Sequence, residues 1–128
     1  MKLLLDTHIF LWWITDAPEL SENARKLIRE RRNRLFWSAA SSWEIAIKYA
    51  SGKLPLPEQP NKFISKELAK NRISSLPISD AHAFEAGNLP LHHKDPFDRM
   101  LVAQARLEGL GLISDDPLLI QYDVKIIS

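Results

Sequence analysis

The chain has no cysteine among its 128 residues. Disulfide bonds, thiolate zinc sites and cysteine nucleophiles are therefore all excluded, and the reducing cytoplasm is the expected location. Glycine is also scarce, with only four residues. The glycine-rich phosphate loops of P-loop and dinucleotide-binding proteins consequently have no sequence from which to form.

Long apolar runs and a strong net charge are absent as well. The longest apolar run, residues 9–14, is far shorter than the ~20 residues of a membrane-spanning helix, and the first residues lack the pattern of a secretory signal. The formal net charge is +1, so any nucleic-acid binding would depend on local basic patches. The hydrophobic (45%) and charged (26%) fractions predict one ordinary soluble domain over residues 1–128.

Short apolar strands alternate with longer amphipathic segments along the chain. This alternation predicts an α/β fold, a single-domain α/β/α sandwich in which helices cover both faces of a mostly parallel five-stranded sheet. The predicted strands are residues 2–5, 34–38, 73–78, 112–114 and 124–127. The predicted helices are residues 7–14, 21–32, 41–50, 61–71 and 79–86, and a last one from 96 to about 109.

Two of the predicted helices begin with recognisable capping sequences. The S-x-x-E pattern of residues 41–44 matches a capping box, which would put Glu44 in the first turn of its helix. Asp95 followed by Pro96 matches an N-cap with proline at the first helical position. Asp98 then falls in the first turn of the helix that follows.

Four acidic residues lie where a strand or turn passes into a helix. Asp6 ends the first predicted strand and Asp116 follows the fourth. Glu44 and Asp98 belong to the two predicted first turns. The carboxyl ends of parallel strands and the adjoining helix starts share one edge of a sheet, and carboxylates gathered there repel one another by several kcal/mol without a cation. Hard oxygen ligands suit Mg²⁺ or Mn²⁺, so the pattern predicts metal-assisted hydrolysis, most simply of a phosphodiester.

Each of these acids also has a purely structural explanation. Asp6 and Asp116 can cap the helix that follows each of them. Glu44 can be the reciprocal member of its capping box, or the i, i+4 ion-pair partner of Lys48. Asp98 lies where the helix dipole favours any acid. Individually the four are ambiguous, and it is their combination that favours a metal site.

Four longer segments give the chain a family resemblance. The sequences LLLDTH, SSWEIAIKYASGKL, HHKDPFDRMLVAQA and LISDDPLLIQYDV occur in this order. Together they resemble PIN-domain proteins, in particular the toxin of bacterial VapBC-type toxin–antitoxin pairs. The resemblance spans essentially the whole chain, and DPFDRMLVAQA followed by a strand and S-D-D is its most specific element. PIN domains have a parallel sheet flanked by helices and act as Mg²⁺- or Mn²⁺-dependent nucleases, usually on RNA.

The resemblance assigns the family's acidic catalytic and metal-binding site to Asp6, Glu44, Asp98 and Asp116. It implies an endoribonuclease that acts as a toxin, a small antitoxin protein that blocks its site, and a homodimer. It also implies that water attacks the phosphorus, activated by a carboxylate or by metal hydroxide. A non-catalytic PIN-like module that binds nucleic acid or protein is the alternative, and its expected mark is the loss of one or more acids.

Four neighbouring residues are candidates for supporting roles. Thr7 follows the first acid and is placed to orient its carboxylate through its hydroxyl or amide. Ser114 is a candidate to hydrogen-bond a metal-bound water. Asp95 is either a further ligand or supporting group, or simply the N-cap already described. Lys48 either supplies positive charge near the scissile phosphate or forms a plain ion pair with Glu44.

The histidines give a weaker signal. His92 and His93 precede Asp95 closely enough to suggest zinc. Zinc, however, requires a third nitrogen or sulfur ligand and a closed tetrahedral shell, and nothing nearby provides one. The pair is therefore predicted to lie in a loop as non-ligands, near the substrate at most. His8 and His82 carry no signal of their own.

Basic side chains are concentrated in two places. Lys62, Lys66 and Lys70 form an i, i+4, i+8 stripe, and residues 25–34 include six lysines and arginines. Such runs are usually solvated faces of helices. The functional alternative is contact with the phosphates of an RNA strand, which would make affinity strongly dependent on salt.

Two adjacent tryptophans mark the first helix. Trp12 and Trp13 are neighbours on a short helical segment, so their side chains point in different directions. One is therefore expected in the core. The other is expected at a surface groove, where an exposed large aromatic side chain favours a protein partner.

Overall fold

The computed structural model describes all residues from Met1 to Ser128, and its centre is one five-stranded sheet in the order β3-β2-β1-β4-β5. Every neighbouring pair of strands is parallel. The chain crosses from one side of the central strand β1 to the other between β3 and β4. The strands are β1 (Lys2–Leu5), β2 (Arg34–Ser38), β3 (Ile73–Leu76), β4 (Gly111–Ile113) and β5 (Ile126–Ile127).

Six α-helices and one short 3₁₀ helix connect the strands. None of these helices is both long enough and apolar enough to span a bilayer. The α-helices are α1 (Thr7–Ile14), α2 (Glu22–Arg29), α3 (Ala39–Ala50), α4 (Pro60–Lys70), α5 (Asp80–Asn88) and α6 (Pro96–Glu108), and the 3₁₀ helix is Pro117–Gln121.

The central strand separates two hydrophobic cores because its side chains alternate between the faces of the sheet. Leu3 and Leu5 belong to the core on the side of α1, α2 and α4. Leu4 belongs to the core on the side of α5 and α6. All three leucines are fully buried. A continuous apolar strand with both faces covered is typical of a parallel sheet, and the predicted three-layer α/β fold is confirmed.

Helix α6 begins and ends as its sequence predicts. The Asp95 carboxylate accepts hydrogen bonds from the amides of Phe97 and Asp98, at 2.8 and 3.2 Å. At the other end Gly109 has φ +68°, a left-handed conformation that glycine adopts without a Cβ clash. These two ends place Asp98 in the first turn of α6, close to the carboxyl ends of the strands.

The helix that carries Glu44 begins earlier than its sequence predicts. It starts at Ala39 and is capped by the side chain of Ser38, the last residue of β2. Glu44 therefore lies in the second turn instead of the first, and the capping box predicted at residues 41–44 is wrong. The physical reason is that Ser38 supplies the cap, which leaves Ser41 inside the helix. The other predicted elements are present, with ends within three residues of the predicted ones.

The tryptophans of α1 also differ from their prediction. Trp12 and Trp13 are both partly buried and both pack against the core on that side of the sheet. Trp12 stacks on His8 with 6.0 Å between ring centroids, and the Trp13 indole donates to Asn71 Oδ1 at 2.9 Å. The prediction of one core and one surface indole is wrong because the last turn of α1 lies at the rim of the core. The exposed tryptophan is Trp43, at 64%.

Candidate metal centre

The site lies at the carboxyl ends of β1 and β4, where the order of the strands reverses. The Asp6 amide donates to the carbonyl of Ile113 at 3.0 Å, which extends the pairing of the two strands by one residue. The Ser114 hydroxyl donates to Asp6 Oδ2 at 2.7 Å and accepts from the Asp116 amide at 3.1 Å. One buried serine thus fixes two of the four predicted acids relative to each other. Open α/β sheets bind their ligands at such a reversal.

Glu44 reaches the same edge from α3 and is held by two neighbours, Thr7 and Lys48. Its Oε1 and the hydroxyl of Ser41 each lie 2.8 Å from Thr7 Oγ1. Because a carboxylate only accepts, the Thr7 proton is donated to Glu44 and Ser41 donates to Thr7. Lys48 Nζ lies 2.9 Å from the other oxygen, Oε2, in an i, i+4 ion pair. The Thr7 hydroxyl therefore orients Glu44, while its backbone amide hydrogen-bonds Asp6 and lowers the pKa of that carboxyl, as the sequence suggested.

Asp98 and Asp116 meet at an imidazole. Nε2 of His93 lies 3.1 Å from Asp98 Oδ2 and 2.8 Å from Asp116 Oδ2. One potential ligand atom from each of the three residues falls within 4.8 Å of the others. His93 lies in a loop, as predicted, but its contact with two of the acids was not predicted. The signal that was available is its position two residues before the N-cap Asp95, whose amide it accepts at 3.1 Å.

The pKa values of Asp6 and Asp98 are both raised, as expected for buried carboxyls among other negative charges. Burial raises the pKa of Asp6, although the hydrogen bond from Ser114 lowers it in part. Desolvation, and then the charges of Asp6 and Asp95, raise the pKa of Asp98 to about 7 against a lowering by His93. Burial and like charges both disfavour the ionised form of a carboxyl. Perturbed acids in a cleft are a marker of functional sites.

The acids share one polar cavity of about 310 Å³. Six of its lining residues are acidic, and Lys48 is the one lysine or arginine among them. Asp115 is exposed. The lining residues are Asp6, His8, Glu44, Lys48, Asp95, Asp98, Asp115, Asp116 and Pro117.

This donor set fits a hard divalent cation. Carboxylate oxygens are the ligands that Mg²⁺ and Mn²⁺ prefer in proteins. Six acidic residues and one lysine line the cavity, so a bound cation would balance negative charge that the protein itself does not. One of these acids, Asp6, is only 5% exposed. The chemistry of the residues is therefore consistent with the metal that the sequence predicted.

Hydrogen bonds separate the capping explanation from the metal explanation for Asp6, Asp98 and Asp116. Asp6 occupies the N-cap position of α1 but makes no side-chain cap bond, so capping does not account for it. Asp98 is itself capped by Asp95. Asp116 does cap the 3₁₀ helix, through Oδ1 and the Leu118 amide at 2.9 Å, and its other oxygen faces the site.

The predicted basic surfaces lie away from this cavity. Lys62, Lys66 and Lys70 are all exposed on α4, and Lys66 pairs with Glu58. In the basic stretch of residues 25–34, three arginines form ion pairs with nearby acids. None of these side chains lines the acidic cavity. Their contact with RNA stays a prediction.

His82 has a structural role that its sequence position did not reveal. Its ring accepts from the Ser79 amide at 3.0 Å while its own amide donates to the Ser79 hydroxyl, which completes a capping box at the start of α5. Its Nε2 lies 2.8 Å from Glu108 Oε2. The residue therefore joins α5 to α6 and takes no part in the acidic site.

Comparison with known protein families shows to which family the chain belongs. The model of the PIN domain matches residues 3–125. The chain belongs to the PIN-domain family. The resemblance that the four sequence segments suggested is thereby confirmed at the level of the family, over nearly the whole chain.

A curated relative covers part of the chain. Ribonuclease VapC16 of Mycobacterium tuberculosis is 36% identical over 66 residues, which are 52% of this chain and 47% of the relative. The chain thus matches about half the length of this curated relative.

Solved structures agree with the fold over its full length. VapBC2 from Rickettsia felis, crystallised with a DNA fragment from its promoter, superposes with a TM-score of 0.72 at 18% identity, covering 99% of this chain and 98% of the other. VapBC-1 from nontypeable Haemophilus influenzae gives 0.70 at 19% identity, with 100% and 98% covered. At these identities the likeness concerns the fold.

Proposed function

We propose that this chain is a metal-dependent endoribonuclease that hydrolyses phosphodiester bonds of RNA and acts as the toxin of a toxin–antitoxin pair. The observation that carries the proposal is the acidic cavity at the strand reversal, where Asp6 and Asp98 are desolvated with raised pKa values and six acidic residues face a single lysine. Its similarity to a protein named as a ribonuclease, within one family, supports the substrate class.

Asp6, Glu44, Asp98 and Asp116 are the residues that would hold Mg²⁺ or Mn²⁺. When bound, such an ion supplies charge stabilisation for a phosphodiester and a water of lowered pKa. The protein contributes the order of the carboxylates. Ser114 fixes Asp6 by its donated hydrogen bond of 2.7 Å, and Thr7 fixes Glu44 at 2.8 Å. Carboxylates oriented by such neighbours lose less entropy when they bind a cation.

Lys48 has the position of a group that tunes the site. Its ammonium is bound to Glu44 at 2.9 Å, yet its side chain remains 39% exposed at the cavity. The ion pair balances one carboxylate charge and keeps a positive charge at the rim. We assign Lys48 to the ion pair in the free protein. Attraction of the RNA backbone is its second proposed role, together with the exposed Lys62, Lys66 and Lys70 on α4.

The proposed partners follow from the related complexes. Toxin–antitoxin proteins of the VapBC type share this fold, and we propose a cognate antitoxin, a homodimer and a cytoplasmic location. Apolar surface for a protein partner is present beside the acids. Trp43 and Ile47 are exposed on α3, at 64% and 45%. The rings of Trp43 and of Phe97 from α6 pack edge to face, with 5.4 Å between their centroids. Exposed aromatic groups of this kind favour protein–protein contact.

RNA cleavage by the purified protein tests the catalytic part of the proposal. Wild type, free of any antitoxin, should cleave RNA with Mg²⁺ or Mn²⁺ and be inactive in EDTA. Asp6→Asn and Asp98→Asn should each abolish cleavage, because each removes a charged oxygen ligand while preserving side-chain size.

The matched control is Asp123→Asn. This aspartate is 98% exposed and lies outside the acidic cavity, so the same chemical change should leave activity at the wild-type level. Full activity in Asp6→Asn or Asp98→Asn would remove that residue from the site. Cleavage in EDTA would refute metal dependence, and RNA binding without cleavage would favour the alternative of a non-catalytic PIN-like module.

Growth of a bacterial host tests the toxin assignment separately. Expression of the wild type alone should arrest growth, and the Asp6→Asn variant at an equal soluble level should not. Co-expression with the product of a short neighbouring reading frame that encodes the antitoxin should restore growth. Equal harmlessness of wild type and variant would contradict the toxin assignment and leave the nuclease to be judged by the cleavage assay.

A further inference from the structure

His93 is the one imidazole that bridges two of the proposed ligands. Its Nε2 lies between Asp98 Oδ2 at 3.1 Å and Asp116 Oδ2 at 2.8 Å, and its side chain is only 13% exposed. Two different roles are compatible with that position. The nitrogen can be a lone-pair donor to a cation, or it can carry a proton that it donates to Asp116 while it lies against Asp98.

The second ring nitrogen decides between these roles. Nδ1 of His93 accepts the backbone N–H of Asp95 at 3.1 Å. A nitrogen that accepts a hydrogen bond has no proton, so the proton of the neutral ring is on Nε2. A metal on Nε2 would require the proton to move to Nδ1, where it would face the Asp95 N–H. A fully protonated ring would meet the same conflict. The geometry therefore favours a neutral ring that donates through Nε2.

The loop behind the ring is held by a buried arginine and a tyrosine. The Arg99 guanidinium is 8% exposed and donates to four carbonyls of the segment from Ala86 to His93, at 2.8 to 3.2 Å. The Tyr122 hydroxyl accepts the His93 amide at 2.9 Å and donates to Pro90 at 2.7 Å. No carboxylate binds Arg99; apart from these four carbonyls its partner is the Tyr122 hydroxyl, at 3.4 Å.

We propose that His93 is a positioning residue, an Nε2–H donor that hydrogen-bonds the Asp116 carboxylate, holds it beside the Asp98 carboxylate and leaves the remaining lone pairs of both for the cation. Its consequence for metal binding rests on the proposed function. The role is not that of a ligand. A donor that is bonded to one carboxylate and lies against a second restrains the first and offsets part of their repulsion, as groups that hydrogen-bond metal ligands commonly do.

Nitrogen-15 NMR of the metal-free protein tests the protonation state directly. The His93 ring should have a protonated Nε2 and an unprotonated Nδ1, with its signals assigned by their absence from His93→Gln. Addition of saturating Mg²⁺ should leave the proton on Nε2. A proton on Nδ1, either in the metal-free protein or after Mg²⁺ is added, would overturn the proposal.

Mg²⁺ affinity, measured by calorimetry without RNA, tests the consequence. His93→Ala should weaken binding about tenfold or more. His93→Gln keeps an N–H donor at a similar reach and should stay within about threefold of the wild type. His92→Ala is the control, because His92 is exposed and its ring contact is with Tyr122.

Unchanged affinity in His93→Ala, or an equal loss in His93→Ala and His93→Gln, would overturn the positioning role. Failure of the wild type to bind Mg²⁺ at all would instead refute the proposed function. In that case the metal-free spectrum alone would still decide whether His93 is the donor, so that the two failures are distinguishable.

Discussion

Asp98 and Arg99 are consecutive residues of α6, and the protein accommodates their charges in opposite ways. The Arg99 guanidinium is buried among neutral partners, four backbone carbonyls and the Tyr122 hydroxyl. The Asp98 carboxylate lies 3.1 Å from Nε2 of His93 and otherwise faces the negative charges of Asp6, Asp95 and Glu44. The two charges do not pair with each other.

Arg99 is thus a buried charge that stabilises the fold, whereas Asp98 is a partly buried charge that destabilises it. A cation surrounded by carbonyl dipoles has its hydrogen bonds satisfied and stabilises the loop that supplies them. A carboxylate that faces other carboxylates raises the free energy of the folded state, since like charges in a partly buried site repel strongly. A protein retains the second arrangement where a ligand compensates it, which agrees with the cation proposed for this cavity.

The largest expected effect concerns the arginine. Arg99→Leu should lower the free energy of unfolding by about 3 kcal/mol, because buried carbonyls of Ala86 and Leu89 would lose their donors and such groups cost about 1–3 kcal/mol each. Urea denaturation of wild type and variant measures the change. Arg106→Leu on the same helix is the control. Arg106 is 34% exposed and pairs with Glu85 at 3.3 Å, an interaction worth about 1 kcal/mol or less.

A loss in Arg99→Leu no greater than that in Arg106→Leu would contradict the comparison. It would mean that the carbonyls of the loop find water when the guanidinium is removed, and that Arg99 is no more structural than an exposed arginine. Arg99→Lys should fall between, because an ammonium has three donors and cannot reach the same set of carbonyls.

The pH dependence of stability is the corresponding test of Asp98. Its pKa is raised to about 7 in the folded protein, against about 4 in an unfolded chain. Between these values the folded state binds more protons than the unfolded state, so stability should fall as the pH rises from about 4 to 7. The full shift corresponds to about 4 kcal/mol, and because the side chain is still 20% exposed about half of that is expected.

Denaturation at several pH values in EDTA measures this trend. The raised pKa of Asp6 acts in the same direction. Asp98→Asn should flatten the decline, and Asp123→Asn should not, because Asp123 is almost fully exposed. Identical pH profiles of Asp98→Asn and wild type would show that Asp98 is hydrated like an ordinary surface acid.

The contrast between these two neighbours also explains which parts of the molecule were predictable. The strands and most helices follow from local sequence, because β1 is apolar throughout and α6 has both an Asp95 cap and a Gly109 end. The four acids were predictable as a group because each follows a strand or lies near the start of a helix. The parallel sheet brings those positions to one edge.

The contacts that were not predicted depend on long-range geometry. His93 reaches Asp116 across 23 positions of sequence, and Thr7 reaches Glu44 across 37. Neither pairing has a local signal. The error at the start of α3 has a different cause, since two serines near the end of β2 both suit a cap and only the packed structure selects Ser38. Periodicity and capping rules describe neighbours along the chain and carry no information on such choices.

Addition of Mg²⁺ should offset the repulsion around Asp98 and so stabilise the folded protein. A cation that binds only the folded state stabilises it by about 1.4 kcal/mol at ten times its dissociation constant, so the Tm of the wild type should rise with Mg²⁺ concentration. Asp98→Asn should be at least as stable as the wild type in EDTA and should respond less to Mg²⁺. Thermal melts of both proteins, with EDTA and with Mg²⁺, measure the two effects.

The opposite pattern would identify acids that serve only their helix ends instead of a metal site. In that case Mg²⁺ would leave the wild type unchanged, and Asp98→Asn would lower stability by up to about 1 kcal/mol, the usual contribution of an acid in the first turn of a helix. Arg99→Lys is informative here as well, because its loss of stability should be the same with and without Mg²⁺.

Asp95 provides the smallest and most selective test, because it belongs to both sides of the comparison. Its carboxylate is satisfied by the amides of Phe97 and Asp98, as Arg99 is satisfied by carbonyls, and its charge raises the pKa of Asp98. Asn caps helices about as well as Asp, so Asp95→Asn should change the free energy of unfolding at low pH by less than about 0.5 kcal/mol. Loss of the charge should nevertheless lower the pKa of Asp98, and the pH at which stability declines should move down with it.

Carbon-13 NMR of the Asp98 carboxyl, followed across pH in EDTA, measures that pKa in wild type and variant. An unchanged pKa would mean that the charge of Asp95 is fully neutralised by the two amides it caps, and that burial, Asp6 and Glu44 produce the shift.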